Sequence, residues 1–248
     1  GAPTAITAFM AAATKVAAFG AILRIFYVSF ANAEWQWKPA LILIAIITMV
    51  FGSLVAIAQK DVKRMLAYSS IAHAGFLLSG VIALSKSGLE ASIFYLFAYG
   101  IATVGGFAIV TLVRDSAGEV TDLNRWSGLG KRSPLVAGTF AFFLLAFAGI
   151  PLTSGFIGKF SIFSAAYQSG SLAILIAGVL SSAAAAFFYV RVIVLMFFKD
   201  PVEDGASVVI PSALTTTTIA ISATITLVLG VFPAPLINFI ASTATFLR

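Results

Sequence analysis

The sequence predicts an all-α protein, a polytopic bundle of about seven transmembrane helices in which one helix is broken. Three observations carry that expectation. Of the 248 residues, 60% are hydrophobic and only 10% charged, where a soluble domain carries about 25% charged residues. The apolar residues fall into runs close to the roughly 20 residues that an α-helix needs to cross a hydrocarbon core of about 30 Å. The longest run, 134–168, would make a helix of about 50 Å, too long for one straight crossing, and it contains Pro151 among several glycines.

The spans are expected at 4–30, 39–58, 64–84, 89–113, 134–168 (broken), 171–198 and 211–232, and the whole chain, 1–248, forms a single transmembrane domain. The opening Gly-Ala-Pro-Thr reads as a loop. With no initiating methionine, charged n-region or signal peptide in view, residue 1 is not expected to be the natural start. The longest polar stretch, 114–133, is rich in charge, and its piece 120–129 is expected to lie on the surface as a short amphipathic helix. After the last span, Pro233 and Pro235 lead into a tail with another turn or two of helix.

The fifth span gives way in the stretch 149–163. Pro151 has no N–H for the carbonyl four residues back, and Gly149, Gly155 and Gly158 leave room for an irregular backbone. Such a break is tolerated at membrane depth only where protein or a water-filled cavity covers it. Eight residues beyond the proline stands Lys159, with about 15 Å of apolar helix still to run. That is too far for a lysine stem to snorkel.

Charge in the loops sets the orientation. Lys60, Lys63 and Arg64 precede the third span, Arg114, Arg125, Lys131 and Arg132 the fifth, and Lys199 the seventh. The other side shows Lys38, Lys86 and Arg248, with Trp35 and Trp37 as interfacial anchors. The positive-inside bias places the basic side in the cytoplasm, with Gly1 cytoplasmic and Arg248 outside. The formal charge of +6 is thereby accounted for by membrane topology, with no nucleic-acid partner. The absence of cysteine rules out a disulfide, an iron–sulfur cluster or a thiolate metal site, and one histidine cannot build a zinc centre alone.

Four basic residues fall inside spans: Lys15, Arg24, Arg191 and Lys159. Arg24 is near enough to a helix end to snorkel, whereas Arg191, about 12 Å deep, can be read either way. Lys15 stands in mid-span among alanines and a threonine, whose small side chains let helices approach. His73, the only histidine, also lies deep, with Ser69 and Ser70 four and three residues before it, on its face of the helix. Lys15, His73 and Lys159 thus come from three spans yet fall near one central plane.

A bland reading stands beside each. His73 suits a core histidine bonded to Ser69 or Ser70, and Lys15 a structural ion pair. All nine acidic residues, however, lie in loops or at span ends, so no carboxylate is placed to pair with Lys15 or Lys159. Ionisable groups inside a membrane cost about 2.5–3.5 kcal/mol on insertion scales and by default mark function. A lysine buried without a counter-charge comes within reach of proton exchange near neutral pH. A water-linked row of lysines and a histidine is then a proton relay, one that repels metal cations.

Two motifs carry a family resemblance. Asp61-Val-Lys-Arg-Met-Leu-Ala-Tyr-Ser-Ser-Ile-Ala-His-Ala-Gly-Phe76 resembles the signature helix of the antiporter-like subunits of respiratory complex I, the NADH–quinone oxidoreductase. Ala148-Gly-Ile-Pro-Leu-Thr-Ser-Gly-Phe-Ile-Gly-Lys-Phe160 resembles their broken helix with its lysine. The opening loop and Lys15 resemble the helix after that family's first broken helix. Gly-Lys-Phe, where one sister subunit has a glutamate, points to the family's N branch. The resemblance implies a fourteen-helix fold of two inverted repeats, of which this chain matches the second, C-terminal half. It implies Lys159 as the terminal lysine of a proton path, with His73 and Lys15 as the bridge, Ser69 and Ser70 in support, and Pro151 as the helix break. It further implies no NADH, flavin, cluster or other cofactor in this chain, and other membrane subunits of complex I, sister antiporter-like subunits included, as partners in a bacterial plasma membrane.

The function expected is a proton-translocating membrane subunit of a redox-driven pump, with the electron chemistry performed elsewhere. A subunit of a multisubunit cation/proton antiporter is the alternative, and a purely structural membrane wedge a third reading.

Overall fold

The computed structural model describes residues 2–244; the expectations for Gly1 and Arg248 lie outside them. Helix α1 spans Thr4–Arg24 and continues through a π-helical turn, Ile25–Ser29. Helix α2 (Glu34–Ala58) begins five residues before Pro39. That proline falls inside its second turn, where it removes one hydrogen bond and leaves the helix intact. Helix α3 (Val62–Ile82) is capped by Asp61, whose carboxylate accepts from the Arg64 N–H at 2.8 Å. Helix α4 (Lys86–Leu112) is capped in the same way by Ser85. These side-chain oxygens satisfy amide donors that the first turn leaves free.

The remaining helices are α5 (Leu129–Arg132), α6 (Pro134–Ala148), α7 (Ser154–Gln168), α8 (Leu172–Phe198), α9 (Ala213–Val231) and α10 (Ala234–Thr243). Among the described residues, six helical segments are long and apolar enough to cross a membrane by length and composition. Two shorter helices, α6 and α10, are apolar as well, and α6 is followed across the break at residues 149–153 by α7. Helices α3 and α4 form the centre, with 72% and 67% of their apolar windows buried, against 17% for both α1 and α9. Aromatic side chains fill this core, among them Phe76, Phe94, Tyr95, Phe140, Phe143, Phe188 and Tyr189. The outer helices turn large apolar residues outward, as the solvent of a bilayer requires.

The polar stretch between α4 and α6 folds differently from the surface helix expected at 120–129. Strands β1 (Val113–Asp115) and β2 (Gly118–Glu119) pair antiparallel, and β3 (Ser207–Val208), from the loop after α8, pairs with the other edge of β1. A 3₁₀ turn, Leu123–Trp126, follows. Its Trp126 is fully buried against Phe140 and donates from Nε1 to the Val120 carbonyl at 2.9 Å. Burial of Leu123, Trp126 and Leu129 pulls the segment inward, and the tight sheet leaves no room for a free helix.

The basic loops meet at this end of the molecule. Leu123 N–H donates to the Lys60 carbonyl, and Gly128 N–H to Leu195. Arg125 pairs with Asp115 at 2.6 Å and Lys131 with Asp200 at 2.7 Å. The Arg125 guanidinium holds the Asp115 carboxyl below its ordinary range, and Lys131 does the same for Asp200. Glu119 gathers Lys63, Arg114 and the Thr4 hydroxyl, tying the start of α1 to the sheet.

Candidate functional site

Helix α6 stops where its sequence can no longer supply helical backbone. Gly149 takes up a left-handed conformation with φ of +82°, and its N–H closes back on Leu145 and Ala146, a glycine-terminated helix end. Pro151 cannot donate to continue α6, and Leu152 is also left-handed, at φ +70°. The Thr153 hydroxyl donates to the Ile150 carbonyl at 2.7 Å. Helix α7 then begins at Ser154, so the break is confined to residues 149–153.

Lys159 points back into this break. It is 4% exposed, and Nζ donates to the Phe147 carbonyl at 2.8 Å, the Ala148 carbonyl at 3.0 Å and Ser182 Oγ of α8 at 2.9 Å. The two carbonyls are among the last four of α6, which have no partner within their own helix and carry the negative end of its dipole. The Phe76 ring of α3 lies 5.1 Å from Nζ, a cation–π contact.

His73 is 1% exposed. Its Nδ1 is 2.5 Å from Tyr95 Oη of α4, and its Nε2 is 3.3 Å from Tyr189 Oη of α8. The expected bonds from His73 to Ser69 or Ser70 do not form. The imidazole turns toward α4 and α8, where longer tyrosine side chains reach it, and the short serine hydroxyls bond elsewhere. Ser69 joins Tyr189, and so touches His73 at one remove. Ser70 receives Lys15, whose Nζ donates to its carbonyl at 2.6 Å and its hydroxyl at 2.7 Å.

One tyrosine links Lys15 to His73. The Tyr99 ring lies 4.5 Å from Lys15 Nζ and is stacked on His73 with centroids 4.4 Å apart. Phe147, whose carbonyl holds Lys159, has its ring 6.1 Å from His73 and 6.0 Å from Tyr99. The structure therefore brings Lys15, His73 and Lys159 into one contiguous cluster with Ser69, Ser70 and the Pro151 break. It adds Tyr95, Tyr99, Ser182 and Tyr189, which sequence reasoning missed. The spacing carried a signal for them. Tyr95 and Tyr99 are four apart and Ser182 and Tyr189 seven apart, each pair sharing a helix face, and a mid-span hydroxyl needs a partner.

The two arginines differ. Arg24 is exposed. Arg191 reaches the end of α2, donating from Nη1 to the Ile57 carbonyl at 2.8 Å and from Nη2 to the Gln59 carbonyl at 2.6 Å. Among the described residues, no three His, Cys, Asp or Glu side chains come together to hold a metal ion. Chemically, the cluster offers cations, hydroxyls, an imidazole and helix-end carbonyls in a water-poor interior.

A family profile described as NADH:quinone oxidoreductase/Mrp antiporter, TM, matches residues 1–185. Subunit N of the NADH-quinone oxidoreductase of Rhodococcus opacus (strain B4) is 58% identical over 248 residues, covering 100% of this chain and 46% of that protein. The chain spans about half the length of the curated relatives it matches. Among solved structures, respiratory complex I from Thermus thermophilus with bound aureothin contains a chain that is 30% identical. It matches with a TM-score of 0.81, covering 96% of this chain and 52% of that one. A chain of the Mrp complex from Dietzia sp. DQ12-45-1b is 24% identical with a TM-score of 0.80, covering 93% of this chain and 51% of that one, a likeness of fold alone.

Proposed function

The chain belongs to the NADH:quinone oxidoreductase/Mrp antiporter family of transmembrane proteins, and on that premise we propose that it is the C-terminal half of a proton-translocating, N-type membrane subunit of a bacterial NADH–quinone oxidoreductase. In this reading it carries no redox centre and sits beside sister antiporter-like subunits in the plasma membrane. Lys15, His73 and Lys159 pass protons through the polar chain between them.

The observation that carries the reading is the seat of Lys159. Its ammonium is buried at the junction of two half-helices and held by the unpaired carbonyls of one of them. A small shift of α6 against α7 changes how many carbonyls face Nζ, and with that the stability of the charged form. Movement delivered from elsewhere in a complex thereby becomes uptake or release of a proton. His73 and its two tyrosine hydroxyls connect this junction toward Lys15, with waters bridging gaps beyond direct hydrogen-bond reach. The cation/proton antiporter reading has the shared family profile and a likeness of fold alone, whereas the oxidoreductase reading has relatives at 53–59% identity.

The test uses inverted membrane vesicles carrying the full-length protein in its complex, with Lys159→Ala and Lys159→Arg. Intact complex is quantified first, then NADH-driven acidification and quinone turnover. Arginine keeps the charge but does not release its proton, because its pKa stays above about 12. Both variants are expected to assemble and to lose most of their pumping. Normal pumping by Lys159→Arg would exclude proton transfer by this residue.

A further inference from the structure

At the basic end of the molecule, a cavity of about 380 Å³ lies between the end of α2, the 3₁₀ turn at Leu123–Trp126 and the last third of α8. Lys60, Asn124 and Arg191 supply its polar wall, and Leu123, Val192 and Leu195 its apolar wall. At about 30 Å³ per water it holds about a dozen waters, far more than a single bound ion needs.

The side chains that line it are cationic, amide or apolar, with no carboxylate among them. Neither Lys60 nor Arg191 makes an ion pair with a carboxylate among the described residues. Asp200 pairs with Lys131, and the carboxylates of Asp61 and Asp122, which keep their charge, are held on neutral donors outside the lining. Asp61 accepts from the Arg64 N–H and the Thr121 hydroxyl, and Asp122 accepts from the Asn124 N–H. Arg191 donates only to neutral carbonyls, so its charge is positioned but not neutralised. Because those carbonyls belong to the last residues of α2 and the link after it, the guanidinium sits where a membrane helix ends, at headgroup depth. Just inward, α2 and α8 present exposed apolar residues, among them Phe51, Leu54, Phe187 and Val190. The result is a cationic recess opening beside an acyl-compatible surface.

We propose that this recess binds the phosphate of an anionic phospholipid, with Lys60 and Arg191 on the phosphate, Asn124 on the headgroup, and an acyl chain laid along the apolar rows of α2 and α8. Basic pockets between membrane helices favour such headgroups, and each nearby cation is worth about a five-fold gain in binding. Lipid binding of this kind is separate from proton transfer, because none of these residues touches the Lys159–His73–Lys15 cluster in the contacts above.

The experiment uses the intact complex purified from membranes, stripped of loosely held lipid and re-supplied with phosphatidylglycerol or phosphatidylcholine of the same chains. Retained lipid is counted by native mass spectrometry. Wild type is expected to retain one more phosphatidylglycerol than a Lys60→Gln/Asn124→Leu double variant, which leaves Arg191 and its helix-end contacts untouched. Arg191→Met is expected to lose the same lipid. Phosphatidylcholine should not fill the site, and millimolar inorganic phosphate should not displace the bound lipid. Equal retention by wild type and the double variant, equal uptake of phosphatidylcholine, or displacement by free phosphate would each overturn the proposal, the last by assigning the site to the free anion.

Discussion

Replacing Gly155 by alanine tests whether the two half-helices are as tightly joined as the break requires. A Cβ built there meets the Ala146 carbonyl oxygen at once and lies 2.8 Å from the Ala146 carbonyl carbon, where ordinary contact begins at 3.4 Å. The obstacle is backbone in the last turn of α6, so it cannot swing aside as a side chain does. Relief is set by the oxygen and demands that α6 and α7 part by more than about 1 Å, and overpacking of this kind costs about 1–3 kcal/mol. For a unit of this size that lowers the melting temperature by about 2–12 °C. The same displacement draws Phe147 and Ala148 away from Lys159 Nζ. Misplacing a reacting group by about 1 Å can cost about 100-fold, so pumping should fall by about ten-fold or more even where the protein assembles. The assay is thermal melting of the purified complex together with NADH-driven acidification of inverted vesicles. Gly138→Ala is the control, because a Cβ there meets nothing within 4 Å, and it should match wild type or gain up to about 1 kcal/mol of helix propensity. A Gly155→Ala protein that melts and pumps like Gly138→Ala would refute the reasoning.

Three further outcomes are expected. Tyr95→Phe removes the hydroxyl 2.5 Å from His73 Nδ1, leaving a buried polar atom unpaired at a cost of about 1–3 kcal/mol; pumping should drop, while Tyr167→Phe, at an exposed position, should not change it. Trp126→Ala empties a fully buried site and should cost about 3–5 kcal/mol, seen as a lower melting temperature and faster tryptic cleavage of the loop that follows α4. The Asp115–Arg125 contact should fail only in acid. A carboxyl whose folded pKa is depressed contributes stability that is fully present above its unfolded value, about 3.9, and is lost as pH falls through the folded one. Proteolysis of that loop should therefore be flat from pH 8 to pH 5 and rise below about pH 4, and Asp115→Asn should weaken the pH dependence, with the Glu119 and Asp200 pairs supplying what remains.

The membrane class, the run of spans and the break were legible because each has a one-dimensional signature: apolar length, a proline in an over-long run, a lysine too deep to snorkel. That Lys15, His73 and Lys159 lie deep in the bundle was legible for the same reason, from their distance to the ends of their apolar runs. The partners of His73 were not. A serine four residues away is a visible neighbour, but the imidazole can turn outward, and it is met by Tyr95 and Tyr189 from helices 22 and 116 residues distant. That choice is made by packing, which no periodicity encodes. The small sheet was hidden by its size, since strands of two or three residues are too short to show alternation. Pro39 misled the start of α2, because a proline early in a helix can cost one hydrogen bond without ending it.

The seat of Lys159 has a property that follows from counting donors. An ammonium offers three N–H groups, and Nζ has three acceptors around it: two carbonyls and the Ser182 hydroxyl. A neutral amine keeps two N–H groups and gains a lone pair. The carbonyls can only accept, so they must keep the two hydrogens that remain. Ser182 can also donate, and by rotating its own hydrogen toward nitrogen it meets the lone pair. Loss of the proton thus leaves the number of contacts unchanged and reverses the direction of one. The two half-helices stay braced in either state, and the record of the lysine's charge passes to the orientation of a single hydroxyl on α8.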